Sequence, residues 1–401
     1  MEKNRATLFE GIPENRLSFK AITWSWLGDA LNILCIFPGM SKLVNDNAHM
    51  LIRLQEKGAK LVIVTGKSMG LKGKGNLLAY EDMDGIKIHR LYENPQEMFL
   101  FPDRQLSRIL EIAVGLKPDL IFCDQELNMR LAVLIQKSVK KPIILMVEDA
   151  GRILAGEFYD SYKTRIAMLL FGIPSGPKFW SWLCEKANAL ITCNPRDQQN
   201  LELLSKHNKP VFYLPWPSYI PKDLEYESTR ENGVGIYIGS LYPFKNTQEF
   251  EITLPLILEK SQTNKFVVVG SGPQALMIKK LKDKYGEAIS YIDHLPRTEA
   301  LRLISSSYYA YSPVKIGGWG FIGDCWSMRT PLVMTHNDNY VINSVNALVA
   351  KDENDLVSNI NRLYEDTNLY QKLQTNGYAE YEKRKADVVG DKLYNILTKV
   401  L

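Results

Sequence analysis

Twice along the chain, short runs rich in Val, Ile and Leu alternate with segments whose apolar residues recur at helical spacing, and a proline-rich stretch parts the two series. The first opens on "LNILCIFPG", passes through the helical "NAHMLIRLQEKG" to "AKLVIVTG", and continues as "GIKIHRL", "PDLIFCDQ", "KPIILMVED", "NALITCN" and "KPVFYLPW". The second runs "GVGIYIGSL", "NKFVVVGSGP", "AISYIDHL", "SYYAYSP", "TPLVMTHND" and "NALVAKD", with "QALMIKKLKDKYG" and "RTEALRLISSS" as intervening helices. Runs that are apolar throughout belong to parallel strands covered on both faces, and the alternating helices supply the covers. The expected architecture is α/β, with two Rossmann-like doubly wound domains facing a central cleft. A chain of 401 residues, 45% of them hydrophobic, is too long for one ordinary core and has the apolar content for two.

The stretch "PWPSYIPKDLEYESTRENG", residues 215 to 233, holds three prolines and an apolar-poor second half, the composition of a connection between packed units. The chain then divides into an N-terminal extension over 1–30, a first domain over 31–216, a linker over 217–233, a second domain over 234–378 and a terminal helix over 379–401. Lys plus Arg (49) nearly balances Asp plus Glu (45), so no nucleic-acid partner is expected. Cys35, Cys123, Cys184, Cys193 and Cys325 form no CxxC pair and no Cys/His set at zinc spacing, which predicts reduced thiols, no structural metal and a cytoplasmic setting. The longest apolar run, "IAMLLFGIP", is far shorter than the roughly 20 residues a spanning helix needs. "MEKNRATLFEGIPENR" lacks the charge, apolar core and small-residue order of a signal peptide. "RLSFKAITWSWLG" (16–28) and "YKTRIAMLLFGIPSGPKFWSWL" (162–183) mix Lys or Arg with Trp and aliphatics, as peripheral anchors on the cytoplasmic membrane face do. Core packing accounts for both segments equally well.

Doubly wound domains bind ligands beyond the carboxyl ends of their strands, so the loops that follow second-series strands hold the candidates. After "GIYIG" comes "SLYPFKN", where Gly239 permits close backbone approach and Lys245 sits near a helix start suited to a diphosphate. A lysine in a loop is otherwise simply solvated. "VVVGSGP" places Gly270 and Gly272 directly after a buried strand, to turn tightly beneath a ligand or only to turn tightly. In "IDHLPRTEAL", His294, Leu295, Pro296 and Arg297 form a loop whose main-chain groups suit a flat base edge. In "GGWGFIGDCWSMRTPLV", glycines at 317, 318, 320 and 323 let amides approach an anion. Asp324 is expected near the start of the next helix, as a ligand-binding acid or as its cap.

From residue 235 onward, this order of loops resembles the donor-nucleotide domain of family 4 glycosyltransferases of the two-Rossmann-domain, GT-B type. The family's "GR", short gap and "KG" is similar to "GSLYPFKN", its "VVGxGP" to "VVVGSGP", and its strand-end loop before an acidic helix to "YIDHLPRTEALRLI". Its "EGFG....EAMACGTPVVAT" is similar to "IGGWGFIGDCWSMRTPLVMT", and its "NGLLV" with the following helices to "NALVAKDENDLVSNINRLYEDTNLYQKL". The family's terminal helix, which recrosses to the first domain, is similar to "YAEYEKRKADVVGDKLYNIL". The first half resembles the acceptor domain more loosely. His49 stands at a common histidine position, Glu148 where relatives often carry a histidine near the reacting sugar, and Asn194 where a serine commonly follows the strand.

The resemblance implies transfer of a sugar, with retention, from a nucleotide-diphosphate donor to a glycan, lipid-linked or small-molecule acceptor. No metal or other cofactor is implied beyond the nucleotide sugar itself. Lys245 would meet the charge that builds on the leaving diphosphate, and with Glu148 it makes up the expected catalytic set. Donor binding falls to Gly239, Ser240, Lys245, Gly270, Gly272, His294, Leu295, Arg297, Gly317, Gly318, Trp319, Gly320, Phe321 and Asp324, and acceptor contact to His49 and Asn194. On the donor side, two positions lose a charge that the family carries. Ser240 stands where relatives carry an arginine, which leaves one cation in place of two unless Arg297 or Lys315 substitutes. Alignment on Thr330-Pro331 puts Asp324 at the ribose glutamate and Ile316 at the sugar glutamate. Either amides of residues 317–321 hold the sugar, or the chain is a catalytically weakened GT-B protein that binds a nucleotide sugar or serves as a partner subunit.

Overall fold

The computed structural model describes residues 30–40, 46–68, 76–147, 177–206, 208–221, 224, 229–315, 318–337 and 340–401. The N-terminal extension up to residue 29, Glu148, Ile316 and Gly317 lie outside the described residues, as do residues 162–176 of the second Trp-rich segment.

The first sheet comprises β1 (Asn32–Gly39), β2 (Lys60–Gly66), β3 (Tyr80–Met83), β4 (Ile86–Tyr92), β5 (Leu120–Asp124), β6 (Ile143–Val147), β7 (Ala189–Thr192) and β8 (Val211–Tyr213). Their order is β3-β4-β2-β1-β5-β6-β7-β8. Every residue of β5, β6 and β7 is buried, because helices cover both faces: α1 (Asp46–Glu56), α2 (Pro95–Leu100), α3 (Leu106–Leu116), α4 (Met129–Val139), α5 (Pro177–Lys186) and α6 (Pro195–Leu204). All pairings are parallel except β3 with β4. That hairpin turns through Asp84 (φ 52°) and Gly85 (φ 90°), with Gly85 N donating to Asp82 Oδ1 at 2.9 Å. The Asp-Gly pair is the two-residue turn chemistry that right-twisted strands favour. The described part of the second Trp-rich segment buries Phe179, Trp180 and Leu183 in the first core.

The second sheet comprises β9 (Glu231–Ile238), β10 (Lys265–Val269), β11 (Ile289–Ile292), β12 (Ser307–Ser312), β13 (Leu332–Met334) and β14 (Leu348–Val349), in the order β11-β10-β9-β12-β13-β14. All its pairings are parallel. Counted within the domain this is the doubly wound order in which the strand sequence reverses beside the first strand, here between β9 and β12, and such reversals open a ligand crevice at the carboxyl ends. The covering helices are α7 (Phe250–Lys260), α8 (Ala275–Tyr285), α9 (Arg297–Ser306), α10 (Trp319–Ser327), α11 (Glu353–Glu365) and α12 (Thr367–Glu382). Phe250, Phe266 and Tyr311 meet with centroids 5.8 to 6.3 Å apart at tilted or edge-to-face angles. Such pairs add about 0.5–1.5 kcal/mol each beyond burial and fix α7 on the strands beside the crevice.

After α12 the chain turns at Lys383–Lys385, and α13 (Ala386–Val400) crosses back onto α1. Val389, Leu393 and Leu397 are fully buried in the first domain beside Met50 and Leu54. Gly390 permits the close approach, since a Cβ there would lie 2.5 Å from Arg53 Cβ; Arg53 Nε donates to Asp391 Oδ1 at 2.8 Å. The linker runs alongside this crossing and is joined to it. Ser218 N donates to Arg384 O at 2.8 Å, and Ala386 N to Ser218 O at 3.1 Å. Arg384 lies over the rings of Tyr340 and Trp319, 3.9 and 4.7 Å from their centroids. Arg230, within the apolar-poor half of the linker, donates to the carbonyls of Ser307, Met328 and Arg329 and to Thr330 Oγ1. A cation there caps the carboxyl end of α10 and complements its dipole. Among the described residues no helix is long and apolar enough to cross a membrane.

Candidate functional site

The chain leaves β9 as Gly239–Asn246, at the point where strand order reverses. Gly239 N donates to Val269 O at 2.9 Å and Leu241 N to Ser271 O at 2.8 Å, so the turn lies flat against the loop after β10. Gly270 and Gly272 allow this with φ of 148° and 146°: a Cβ on Gly270 would stand 1.8 Å from Gly239 O, and one on Gly272 would stand 2.4 Å from Leu241 O. Both glycines therefore serve the approach of one backbone to another. Pro243–Lys245 make a single 3-10 turn, Lys245 N donates to Tyr242 O at 2.9 Å, and Asn246 is left-handed at φ 60°. Lys245 is half-buried on this turn and Ser240 is exposed beside it.

After β12, the strand that pairs with β9, the chain leads to the amino end of α10. Gly318 is its N-cap, and the amides of Trp319, Gly320 and Phe321 form the first turn, whose N–H groups have no intrahelical acceptors and carry the positive end of the dipole. Nothing lies within 4 Å of a Cβ built on Gly320, so one side of the turn is open. The Trp319 and Phe321 side chains point inward. Trp319 Nε1 donates to Pro217 O at 3.2 Å, and Phe321 packs edge-on against Tyr237 at 5.2 Å. These two residues can meet a ligand only through main-chain groups.

Asp324 is not at a helix start and caps nothing: α10 begins five residues earlier. Its carboxylate receives a forked bond from Arg297, Nη2 to Oδ1 at 2.8 Å and Nη1 to Oδ2 at 3.1 Å, and the same Nη2 donates to Tyr219 O at 2.8 Å. Two residues read separately as donor contacts are thus one ion pair, and Arg297 is committed to Asp324 rather than available for the substitution expected of it. Lys315 is exposed on the loop after β12. His49 reaches the same cluster from α1, its ring stacked on Tyr219 with centroids 3.2 Å apart and planes 10° from parallel. Burial, then the charge of Arg297, pushes the His49 imidazole down to about 4, so it is neutral at pH 7. His49, Tyr219, Arg297 and Asp324 form a continuous chain of contacts from the first domain, through the linker, to the second.

That shift has a sign. The unfolded histidine takes up a proton near pH 6.5 and the folded one only near pH 4, so stability falls as pH drops through this window. His49→Gln is expected to flatten part of that fall; urea unfolding at pH 7 and pH 5 measures it, and an unchanged difference between the two pH values would contradict the assignment.

His294 is exposed on the loop after the edge strand β11, while Leu295 packs partly into the second core. Tyr291 Oη donates to Gly270 O at 3.0 Å, joining β11 itself to the glycine turn. Asn194 follows β7, its N donating to Thr192 Oγ1 at 3.2 Å, and the adjacent Cys193 carbonyl accepts from Tyr340 Oη of the second domain. The sequence reading missed Tyr219, Tyr340 and Arg384, which join the domains. Each lies in a loop or turn with no periodicity to mark it, and Arg384 is one of three consecutive cations, Lys383 to Lys385.

The two sheets, the crossing helix and the crevice define a GT-B fold. Residues 232–366 match the family model described as Glycosyl transferases group 1. No curated protein matches the chain. Among solved structures, sucrose-phosphate synthase from Thermosynechococcus elongatus aligns at a TM-score of 0.71 and 13% identity, over 92% of this chain and 99% of its own. Anabaena HepE in complex with UDP and glucose aligns at 0.65 and 13%, over 92% and 99%. An alpha,alpha-trehalose-phosphate synthase (UDP-forming) from Burkholderia vietnamiensis aligns at 0.65 and 11%, over 92% and 100%. The matched domain, set in a GT-B frame, supports a glycosyltransferase enzyme.

Proposed function

We propose that the chain transfers a sugar from a nucleoside-diphosphate donor to a glycan, lipid-linked or small-molecule acceptor on the cytoplasmic side, with retention at the anomeric carbon. The observation that carries this reading is that the Lys245 turn follows β9 and the amino end of α10 follows β12, the two strands at which the order of the second sheet reverses, within the segment that matches the family model. As the glycosidic bond breaks, the sugar takes on oxocarbenium character and negative charge accumulates on the diphosphate. Lys245 and the first-turn amides of α10 meet that charge, and the resemblance to GT-B transferases implies no resident metal. The loop of His294 and Leu295 flanks the base. Asp324, aligned with the acid that relatives place on the ribose, takes a ribose hydroxyl. His49 and Asn194, with Glu148, border the acceptor. HepE is described in complex with UDP-glucose, which puts UDP-sugars first among donors to try.

A second reading, a nucleotide-sugar binder with weak catalysis, is favoured by one specific observation: the retained acid, Asp324, is already forked to Arg297. Incubation with a panel of nucleotide sugars separates the two. The transferase reading expects one donor to be cleaved, with the released sugar appearing first in the donor's anomeric configuration by NMR. Binding without cleavage selects the second reading, and a folded protein that binds no donor overturns both.

A further inference from the structure

Behind the Lys245 turn, one carboxylate gathers groups from loops that leave different strands at the same end of the sheet. Glu249 Oε1 accepts from the Asn246 side-chain amide and lies 2.7 Å from His336 Nε2, while Oε2 accepts from Thr335 Oγ1 at 2.7 Å. Asn246 Nδ2 also donates to Pro313 O at 3.3 Å and stands 2.8 Å from His336 Nε2. On the far side Gln248 Nε2 donates to Asn246 Oδ1 at 2.6 Å, Gln274 Nε2 donates to Gln248 Oε1 at 3.2 Å, and Thr247 Oγ1 donates to Gln274 Oε1. The turn after β9 is thereby tied to the loops after β10, β12 and β13, through Gln274, Pro313, and Thr335 with His336.

A carboxylate beside a site that receives a diphosphate repels the ligand unless its charge is satisfied by neighbours. Here both oxygens are engaged by donors, and the imidazole stands against Oε1. A lysine head on a flexible four-carbon stem delivers its charge to a defined place only if its own backbone is held. Asn246, next in sequence to Lys245, is held on a left-handed backbone by this network.

We infer that Glu249 is a positioning residue, which through Asn246 and together with His336 sets the Lys245 turn for the diphosphate of the donor. The inference rests on the reading of Lys245 as the diphosphate cation. The test titrates the full chain, wild type and variants, with UDP, GDP and ADP and with the matching nucleosides, by calorimetry. Glu249→Gln is expected to weaken the bound nucleoside diphosphate on the order of tenfold and to leave the nucleoside unchanged. In the double variant with Lys245→Ala it adds nothing to the loss from Lys245→Ala alone. Asn246→Gly keeps the left-handed backbone while cutting the tether and is expected to give the same loss; it decides the matter if Glu249→Gln melts early. Additive losses, equal losses for nucleoside and diphosphate, or no loss overturn this inference alone. A wild-type chain that binds none of the three diphosphates overturns the Lys245 reading and this inference with it.

Discussion

Gly270→Ala is expected to destabilise the second domain by about 3 kcal/mol or more, far beyond what one added methyl costs at an ordinary site. The new Cβ would stand 1.8 Å from Gly239 O, a backbone atom that no rotamer change can move aside, and φ is 148°. Relief requires the strand-end loops after β9 and β10 to part, which breaks Gly239 N to Val269 O and Leu241 N to Ser271 O. It also disturbs Tyr291 Oη to Gly270 O, so β11 is affected along with the two loops. Gly320→Ala is the matched control: nothing lies within 4 Å of its Cβ, and alanine in a helical turn is favoured over glycine by up to ~1 kcal/mol. Denaturant unfolding of both variants measures the contrast. Equal midpoints would show that the loops do not approach as closely as the structure places them.

The strands of both sheets were legible because parallel strands buried on both faces leave uninterrupted apolar runs, as in "LIFCD" and "KFVVV". β3 was not, since its residues YEDM alternate between exposed and half-buried at the sheet edge and leave no such run. The stretch over 317–333 read as a glycine loop with a helix starting near Asp324; burial of Ile322, Cys325 and Trp326 accompanies an earlier start, and α10 begins at Trp319. A glycine-rich line of sequence also does not tell an aromatic that faces a ligand from one that faces the core, and Trp319 and Phe321 face the core. Pairing was the least visible part. Arg297 and Asp324 are 27 residues apart and Glu249 and His336 are 87 apart; each pair meets because its members sit at the carboxyl ends of strands or at the helices that follow, and only the strand order shows which ends are neighbours.

Lys245→Ala is expected to lower donor-dependent kcat/KM by about 100-fold while changing unfolding free energy by no more than about 0.5 kcal/mol. The size follows from how few cations remain for the leaving diphosphate. The sequence resemblance puts Ser240 where an arginine is expected, Arg297 is forked to Asp324, and Lys315 is exposed on a different loop. On the proposed reading the charge that develops then falls on Lys245 and the first-turn amides of α10, and one preorganised donor to a developing anion contributes 10²–10³ in rate. Because that charge grows between the bound donor and the transition state, kcat should fall more than KM rises. Lys245→Arg should recover only part of the rate, since a planar fork does not place its charge where a compact ammonium does. Steady-state kinetics with whichever donor the wild type cleaves measures all three, and a Lys245→Ala variant that keeps more than half of the wild-type rate removes this turn from the diphosphate site.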